Sequence, residues 1–525
     1  MRETPRLSGY HAAVWQEPII LEMGAVGERG IIPSTDRRVA ASVGPANELV
    51  PPALLRRDPP VLPELAQPQV LRHYLRLSQQ TLGMDLGVDI GEGTCTMKYS
   101  PKIHEQVARM PQLAELHPEQ ADEALQGILQ ITYGLRQFLC EISGMDEFSF
   151  QPGGGAQAVF AASCILRAFH LERGESQRDE IITSSFSHPC DAAAPATAGF
   201  RVITLPPDEH GLPDIGALRS VVSERTAGLM ITNPEDTGIF NPNIDEFTRI
   251  VHDAGGLCFQ DQANANGILG IARCRDAGFD ACHFNLHKTF SSPHGSEGPA
   301  DGALGVTELL APYLPTPIVR KDGDSYSFDR DRPRSVGKVR SFAGNLQCVF
   351  RAYAWIMSMG ADGLRSTAEI SVLNNNYLQQ RLLEIPGVSM PFAHRPRRLD
   401  QVRYSLAQLK EETGVGTEDV RDRMVDFGIQ GYWMSHHPWI VPEPFTPEPC
   451  ETYSKEDCDE WAAVIAQIVR EAHEDADHVR QAPHRSTIAR IADHDSFEDP
   501  GRWAMTWRAF KRKRLGTADR SSSTS

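Results

Sequence analysis

Short apolar runs alternate with longer amphipathic stretches through the middle of the chain. Three runs of strand length cover residues 180–183, 201–205 and 228–232. Before them, apolar positions recur at helical spacing over 156–170. Strands that alternate with helices in this way indicate a mostly parallel sheet with helices on both faces. We therefore predict an α/β fold for the central part of the chain.

The pattern changes on both sides of this central region. Residues 1–66 are rich in Pro, Gly and Arg and show little periodicity, so we predict an N-terminal arm there. We expect the large α/β domain over 67–345, followed by a bridging helix and a smaller α+β domain over 346–495. Residues 496–525 contain a Lys-Arg-Lys-Arg run and a Ser-rich end. Such a segment is typical of a solvated, disordered tail.

Composition narrows the class of protein and its partners. The 525 residues are 41% hydrophobic and 23% charged, which is typical of a globular protein in water. No stretch approaches the roughly 20 apolar residues of a membrane span, and the first residues lack a secretory pattern. Ten Cys without close pairs indicate reduced thiols. A net charge of −17 argues against nucleic acid. We expect a cytoplasmic protein with no membrane or nucleic-acid partner.

Two further apolar runs each lead to a chemically active side chain. The run 281–284 leads to Lys288, and the run 257–259 leads to Asp261, which lies 27 positions before that lysine. Ligands of open α/β sheets bind outside the carboxyl ends of the strands. An amine that forms an imine and a carboxylate that holds a pyridinium nitrogen are the groups that pyridoxal phosphate needs most. Alone, each is more often a surface lysine or a turn former, but the pair predicts this cofactor.

Three other segments carry weaker signals for the same cofactor. A glycine turn within 151–157 precedes the helix predicted at 156–170, and a glycine-rich helix start can bind a phosphate. His188 follows one strand and could stack on a flat ring. Asn233 follows another strand and could donate a hydrogen bond to the phenolic oxygen of the cofactor. Each segment is also typical of an ordinary loop or turn.

Other classes of site are less well supported. Cys282, His283, His287 and His294 could suggest a metal cluster, but neighbours on a strand point to opposite sides and no carboxylate follows at ligand spacing. We expect no metal. Residues 295–298 do not have Ser at the centre of a Gly-x-Ser-x-Gly elbow, so a hydrolase is not expected. A catalytically inactive scaffold stays an alternative.

Longer motifs resemble one enzyme family. Asn-Leu-His-Lys-Thr-Phe-Ser-Ser-Pro-His-Gly at 285–295 resembles the cofactor-lysine signature of glycine dehydrogenase (decarboxylating), the P-protein of the glycine cleavage system. Thr-Cys-Thr-Met-Lys-Tyr-Ser-Pro-Lys-Ile at 94–103 is similar to another of its segments. Residues 331–335, 339–345 and 448–451 also match. The resemblance is strongest to the C-terminal subunit of the split bacterial form.

The resemblance implies a fold-type I enzyme that depends on pyridoxal 5'-phosphate. It implies that Lys288 forms the imine, that Asp261 pairs with the ring nitrogen, and that Ala263 and His188 lie on the two faces of the ring. The phosphate would be held by Gly155, Ala156, Gln157, Thr289 and His287. The substrate side would be lined by Cys95, Thr96, Ser296 and Glu297.

The chain departs from the family pattern beside these anchors. Residues 188–193 read His-Pro-Cys-Asp-Ala-Ala where the family has His-Gly-Thr-Asn-Pro-Ala, and Glu297 interrupts a glycine run. Residues 401–403 stand near a family His-Glu-Phe element. We therefore expect an amino-acid substrate other than glycine, for example the nucleotide-bearing S-adenosylmethionine.

For such a substrate we expect a Cα carbanion that serves carbon–carbon bond formation or β,γ-elimination in natural-product biosynthesis. A nicotinamide nucleotide is a candidate acceptor. The alternative is a glycine decarboxylase subunit that passes an aminomethyl group to a lipoyl carrier protein. We expect a homodimer, or alternatively a heteromer with a related chain.

Overall fold

The computed structural model describes residues 7–15, 17–25, 28, 30, 37–57, 62–83, 85–88, 90, 98–293, 300–429 and 440–486. The described residues fall into two compact units. The larger unit contains those of 7–9 and 82–481, and the smaller unit contains those of 10–81 and 482–486. The domain boundaries that we derived from the sequence stay a prediction.

The smaller unit contains two helices, α1 (Arg37–Val43) and α2 (Gln67–Ser78). The first turn of α2 is closed by Gln69, whose side-chain oxygen accepts a hydrogen bond of 2.6 Å from the N–H of Ala66. The carboxylate of Glu17 lies 3.0 Å from both His73 and Arg76 of α2. These ion pairs tie an extended N-terminal segment to one face of the helix.

The larger unit is built on a sheet of seven strands. Its strands are β1 (Glu147–Ser149), β2 (Glu180–Ser184), β3 (Arg201–Leu205), β4 (Thr226–Thr232), β5 (Leu257–Asp261), β6 (Ala281–Asn285) and β7 (Gly302–Val306). Their order across the sheet is β1-β7-β6-β5-β4-β2-β3. Strands β2 to β6 are parallel, and β7 is antiparallel to both of its neighbours. The predicted mostly parallel sheet is confirmed.

Four further strands and twelve α-helices complete the described part of this unit. The strands are β8 (Ile318–Asp322), β9 (Ser325–Asp329), β10 (Tyr404–Ser405) and β11 (Pro444–Phe445), and they form two antiparallel pairs, β8 with β9 and β10 with β11. The helices are α3 (Lys102–Ala108), α4 (Pro111–Ala114), α5 (Gln126–Ser143), α6 (Gly155–Glu172), α7 (Cys190–Thr197), α8 (Ile215–Val221), α9 (Ile244–Asp253), α10 (Leu346–Leu382), α11 (Ala407–Thr413), α12 (Thr417–Met424), α13 (Lys455–Glu474) and α14 (Ala476–Arg480).

Helix α10 is the long helix predicted to begin the region after the sheet. It is interrupted at Gly360, where the backbone adopts φ 65° and ψ 178°. Only glycine adopts such a conformation readily, so the helix is broken at Gly360. Among the described residues, none of the helices combines the length and the apolar character needed to cross a membrane.

The strands bury side chains on both faces of the sheet. Ile181, Met230 and Ala281 pack with α6 in one core, whereas Ile182 and Cys282, their immediate neighbours in sequence, belong to the core on the other face. Successive side chains of a strand point to opposite faces, so both faces need apolar residues. This explains why the sequence shows continuous apolar runs rather than alternation.

A close approach of the backbone at Gly344 gives a test of this packing. Gly344 has φ +89°, and a Cβ there would overlap the carbonyl oxygen of Phe150. Gly323 has φ +57° with nothing within 4 Å of the same position. We expect Gly344→Ala to lower the free energy of unfolding by about 2 to 4 kcal/mol and Gly323→Ala by about 1 kcal/mol. Urea unfolding of the two variants measures the difference, and equal losses would contradict the close approach.

Candidate active site

Asp261 is the last residue of β5, and it lies opposite His283 in the parallel register with β6. Its Oδ1 accepts a hydrogen bond of 2.8 Å from the N–H of Ala263 and lies 3.5 Å from Nε2 of His283. The ring of His283 stacks on Phe259, with the ring centres 5.7 Å apart. These contacts fix the position of the Asp261 carboxyl group at the carboxyl end of the sheet.

The surroundings of Asp261 favour its ionised form. Burial alone would raise its pKa, but His283 and His188, the N–H of Ala263 and the amine of Lys288 together hold the pKa below its ordinary value. Burial lowers the pKa of His283. A buried carboxylate that stays charged suits a protonated ring nitrogen, because it stabilises the positive form of the ring.

Lys288 is held in a tight turn directly after β6. Its N–H donates to the carbonyl of Asn285 at 3.0 Å, and its carbonyl accepts from Ser291 at 3.1 Å. The residue is only 4% exposed. Within the described part of the chain its amine makes no hydrogen bond or ion pair. A buried amine that makes neither kind of contact is available for a covalent bond to a ligand.

The glycine turn before α6 lies next to Asn285 and His283 and leaves room there for a ligand. A Cβ on Gly155 would lie 2.9 Å from the side-chain nitrogen of Asn285 and 3.3 Å from Nε2 of His283. His283 therefore contacts both Asp261 and the start of α6. The 18-residue helix directs its free N–H groups and its partial positive charge at this point, which suits a phosphate. Asp261 and Lys288 therefore fit the ring end of pyridoxal phosphate, and the start of α6 fits its phosphate.

Gln157 shapes the glycine turn from within. Its side-chain oxygen accepts a hydrogen bond of 2.6 Å from the N–H of Gly153, and its side-chain nitrogen donates to the carbonyl of Val339 at 2.7 Å. Both ends of the amide are thus in use inside the protein. Ala156 is the second residue of α6 and offers its backbone N–H.

His188 and Cys190 lie near the second carboxyl oxygen of Asp261, Oδ2. Nδ1 of His188 lies 2.9 Å from Sγ of Cys190, and that sulfur lies 3.8 Å from Oδ2 of Asp261. The atoms of these three residues that could bind a metal lie within 4.8 Å of one another. A cavity next to them is lined by His188, Thr232, Pro234, Asp236, Asp261, Ala263, Asn264, Asp400 and Gln401.

Three more predicted residues are held in place by backbone groups. The side-chain oxygen of Asn233 accepts from the N–H of Asn241 at 2.9 Å. Oγ1 of Thr289 accepts from the N–H of Ala265 at 2.9 Å. Nδ1 of His287 accepts from the N–H of Asp301 at 3.3 Å, which makes Nε2 its donor when the ring is neutral.

The four residues predicted on the substrate side, Cys95, Thr96, Ser296 and Glu297, lie outside the described residues. The described residues predicted to bind the cofactor, in contrast, come from five separate segments, three of which follow the carboxyl ends of β4, β5 and β6. Their assignment to cofactor and substrate stays a proposal.

The sequence did not reveal the polar contacts between the cavity and the region after α10. Arg403 is buried and pairs with Asp236 at 3.0 Å. Asn264 donates to Asp400 at 2.9 Å and also to Glu448. Burial raises the pKa of Asp400 to about 6. The partners lie 136 to 184 positions apart, so the sequence singled out the segments 401–403 and 448–451 without indicating what they contact.

Comparisons with known proteins show the family of this chain. The family model described as "Glycine dehydrogenase, C-terminal domain" matches residues 367–492, and "Aminotransferase class-V" matches 118–296. A probable glycine dehydrogenase (decarboxylating) subunit 2 from Pyrococcus abyssi is 42% identical over 513 residues, which are 97% of this chain and 100% of that protein. The chain belongs to the glycine dehydrogenase (decarboxylating) subunit 2 family. The predicted resemblance is confirmed.

Further relatives extend the same family likeness. A protein of the same name from Halalkalibacterium halodurans is 42% identical over 87% of this chain and 92% of its own length. The crystal structure of glycine decarboxylase (P-protein) of the glycine cleavage system, in inhibitor-bound form, has a TM-score of 0.71 at 21% identity, covering 83% of this chain and 99% of that one. Escherichia coli cysteine desulfurase CsdA has a TM-score of 0.54 at 18% identity, covering 75% and 96%.

These findings confirm several predictions and correct one. The chain is a fold-type I enzyme that depends on pyridoxal phosphate. The prediction of carbon–carbon bond formation or β,γ-elimination on a substrate such as S-adenosylmethionine, in natural-product biosynthesis, is wrong. Relatives that are 42% identical over nearly the whole chain are named glycine dehydrogenase, so the local departures from the family pattern do not outweigh that likeness.

The attachment of the cofactor can be tested by chemical trapping. Borohydride reduces an imine to a stable amine, so it fixes the cofactor on the lysine that carries it. We expect peptide mapping of the reduced protein to find the label on Lys288. Lys98 is the matched comparison, because it is equally buried but bonded to Glu451 at 2.8 Å. Label on any lysine other than Lys288 would overturn the assignment.

Proposed function

We propose that the chain is the cofactor-bearing subunit of a glycine decarboxylase and that it works in the cytoplasm. The observation that carries the proposal is the 42% identity to glycine dehydrogenase subunit 2 proteins over 97% of the chain. The buried amine of Lys288 and the ionised Asp261 support it, because decarboxylation of an amino acid needs the cofactor that they fit. A glycine decarboxylase subunit is the alternative function that the sequence left open.

The bound cofactor would supply the electron sink for the electron pair that remains on Cα when a carboxylate leaves. Asp261 would hold a proton on the ring nitrogen, because its carboxylate is charged, buried and fixed by Ala263. Lys288 would bind the cofactor covalently, and its amine, when free, would hold or release a proton at the end of β6. The start of α6, with Gln157 shaping its turn, would bind the phosphate.

Other side chains would orient the ring and limit water. His188 and Ala263 line the cavity on either side of Asp261, and we propose that they lie on the two faces of the ring. The NH₂ group of Asn233 is the donor that faces away from its backbone contact with Asn241. We propose that it binds the phenolic oxygen. Thr232 and Pro234 line the same cavity.

The overall reaction balances with a lipoyl disulfide as the acceptor. The bond between Cα and the carboxyl carbon of glycine breaks, and carbon dioxide leaves. The electron pair on Cα forms a new bond to one sulfur of the disulfide. The sulfur–sulfur bond breaks, and the second sulfur takes up a proton. The disulfide is thereby the oxidant, and no redox metal is needed.

We further propose that the active assembly contains a second, different chain. The relatives are named subunit 2, which implies a subunit 1 in those organisms. Of the two assemblies that the sequence left open, the heteromer is therefore the better supported.

Carbon dioxide release tests the reaction. We expect the chain, mixed with a subunit 1 of the family and a lipoyl carrier protein, to release labelled carbon dioxide from carboxyl-labelled glycine. Lys288→Ala should abolish release, and Asp261→Ala should reduce it at least about 100-fold, because the ring nitrogen loses its counter-charge. Lys321→Ala, an exposed lysine on β8, is the control and should match the parent protein. No release from glycine in the complete mixture would refute the proposal.

The assembly can be tested by mass measurement. We expect light scattering to show a complex of both chains when they are mixed, with activity only in that fraction. Full activity of this chain as a homo-oligomer would contradict the heteromer. The mass measurement itself needs no substrate, and only the comparison of activity between fractions does.

A further inference from the structure

Ser291 shapes the turn that carries Lys288. Its N–H donates to the carbonyl of Lys288 at 3.1 Å, and its backbone adopts φ 60°. This left-handed conformation is unfavourable for a residue with a Cβ, and it persists only where the surrounding contacts maintain it. The contacts of Ser291 therefore decide whether the turn keeps its shape.

The hydroxyl of Ser291 makes one such contact. It donates to the carbonyl of Tyr99 at 2.7 Å, and Ser291 is only 1% exposed. Tyr99 lies 192 positions earlier in the chain, so the hydrogen bond joins the lysine turn to a distant segment. A buried hydroxyl that loses its partner is costly, which favours the intact bond.

The segment that accepts this hydrogen bond is itself anchored. Nζ of Lys98 lies 2.8 Å from Oε1 of Glu451, and both side chains are more than nine-tenths buried. The same ammonium group lies 4.7 Å from the centre of the ring of Trp355. The N–H of Tyr99 donates to Oγ1 of Thr452 at 3.3 Å. Breaking a buried ion pair leaves an uncompensated charge, so this anchor holds the carbonyl in place for the serine hydroxyl.

We propose that Ser291 is a positioning residue, which holds the turn so that the amine of Lys288 meets the aldehyde carbon of pyridoxal phosphate. The anchor of Lys98 on Glu451 acts on that amine through the carbonyl of Tyr99. The inference rests on the proposed role of Lys288. It adds to the site an ion pair that neither β5 nor β6 carries.

Attachment of the cofactor is the step that needs this position. The nitrogen of the uncharged amine forms a bond to the aldehyde carbon, and the aldehyde oxygen leaves as water with the two protons of the amine. The reacting atoms have to approach to about 3 to 3.5 Å, so a small shift of the turn weakens the attachment. Asp261 and the start of α6 lie on other segments and would hold the ring nitrogen and the phosphate without Ser291.

Two forms of the cofactor separate these contributions. Pyridoxal phosphate carries the aldehyde, whereas pyridoxamine 5'-phosphate has an amine in its place and forms no imine with a lysine. The affinity of each apoprotein for both compounds is measured, together with the absorbance of the imine. The ratio of the two affinities reports the attachment alone, because general damage to the site would lower both affinities.

Ser291→Ala removes the hydroxyl, and Ser292→Ala is the matched control. Ser292 is the neighbouring serine, is 3% exposed, and donates its hydroxyl to the carbonyl of Cys348 at 3.1 Å. We expect Ser291→Ala to lower the ratio about 3- to 10-fold, as the loss of one hydrogen bond gives, with the parent's affinity for pyridoxamine 5'-phosphate. Ser292→Ala should keep the parent's ratio. An unchanged ratio in Ser291→Ala, or an equal fall in both variants, would overturn the proposal.

The anchor supplies a second variant, which also covers the case that Ser291→Ala does not fold. In Glu451→Gln the side-chain oxygen still accepts from Lys98, but the charge that balances the buried ammonium is lost. We expect the ratio to fall here too. Adding Ser291→Ala should then lower it by less than about twofold, because changes within one network are not additive. A parent-like ratio in Glu451→Gln, or a full further fall in the double variant, would overturn the link to the anchor.

Lys288→Ala distinguishes a failure of this inference from a failure of the role of Lys288. Loss of the imine absorbance in Lys288→Ala, together with the parent's ratio in Ser291→Ala, would refute only the positioning role. An imine that persists in Lys288→Ala would refute the role of Lys288 and the positioning role with it. None of these measurements depends on glycine decarboxylation, because no substrate is added.

Discussion

A negative charge kept inside the core, on Asp261, is the constraint on which the rest of the site depends. A lone buried carboxylate would take up a proton, because burial penalises the charged form. Here the N–H of Ala263, the ring of His283 and the amine of Lys288 offset that penalty. The charge in turn makes the strand end suitable for a cationic ring nitrogen. The cofactor chemistry thus begins with the placement of one carboxylate.

The sheet makes this placement possible. The parallel register of β5 and β6 sets Asp261 opposite His283, and the turn after β6 carries Lys288. Gly155 allows α6 to approach His283, so the helix start joins the same group of residues. Parallel strands bring their carboxyl ends to one edge, and a topology of this kind gathers residues that are far apart in sequence. The site follows from the fold rather than from a single motif.

Much of this arrangement could be predicted because it depends on local patterns. The apolar runs at β2 to β6 are continuous, since both faces of the sheet are covered, and polar turns follow them. Lys288 and Asp261 were predicted because each stands where such a run ends. Arg403 could not be assigned in this way, because its partner Asp236 lies 167 positions away in the chain. No spacing in the sequence indicates that pair.

The error about the reaction has a related physical cause. The departures from the family pattern at 188–193, Glu297 and 401–403 were interpreted as a change of substrate, and Glu297 lies outside the described residues. In the structure, Asp191 is completely buried, and Arg403 pairs with Asp236 inside the protein. Neither side chain therefore borders open space in which a larger substrate could bind. A buried acid and a buried arginine with its own carboxylate can both differ from the family pattern while Asp261 and Lys288 stay in place.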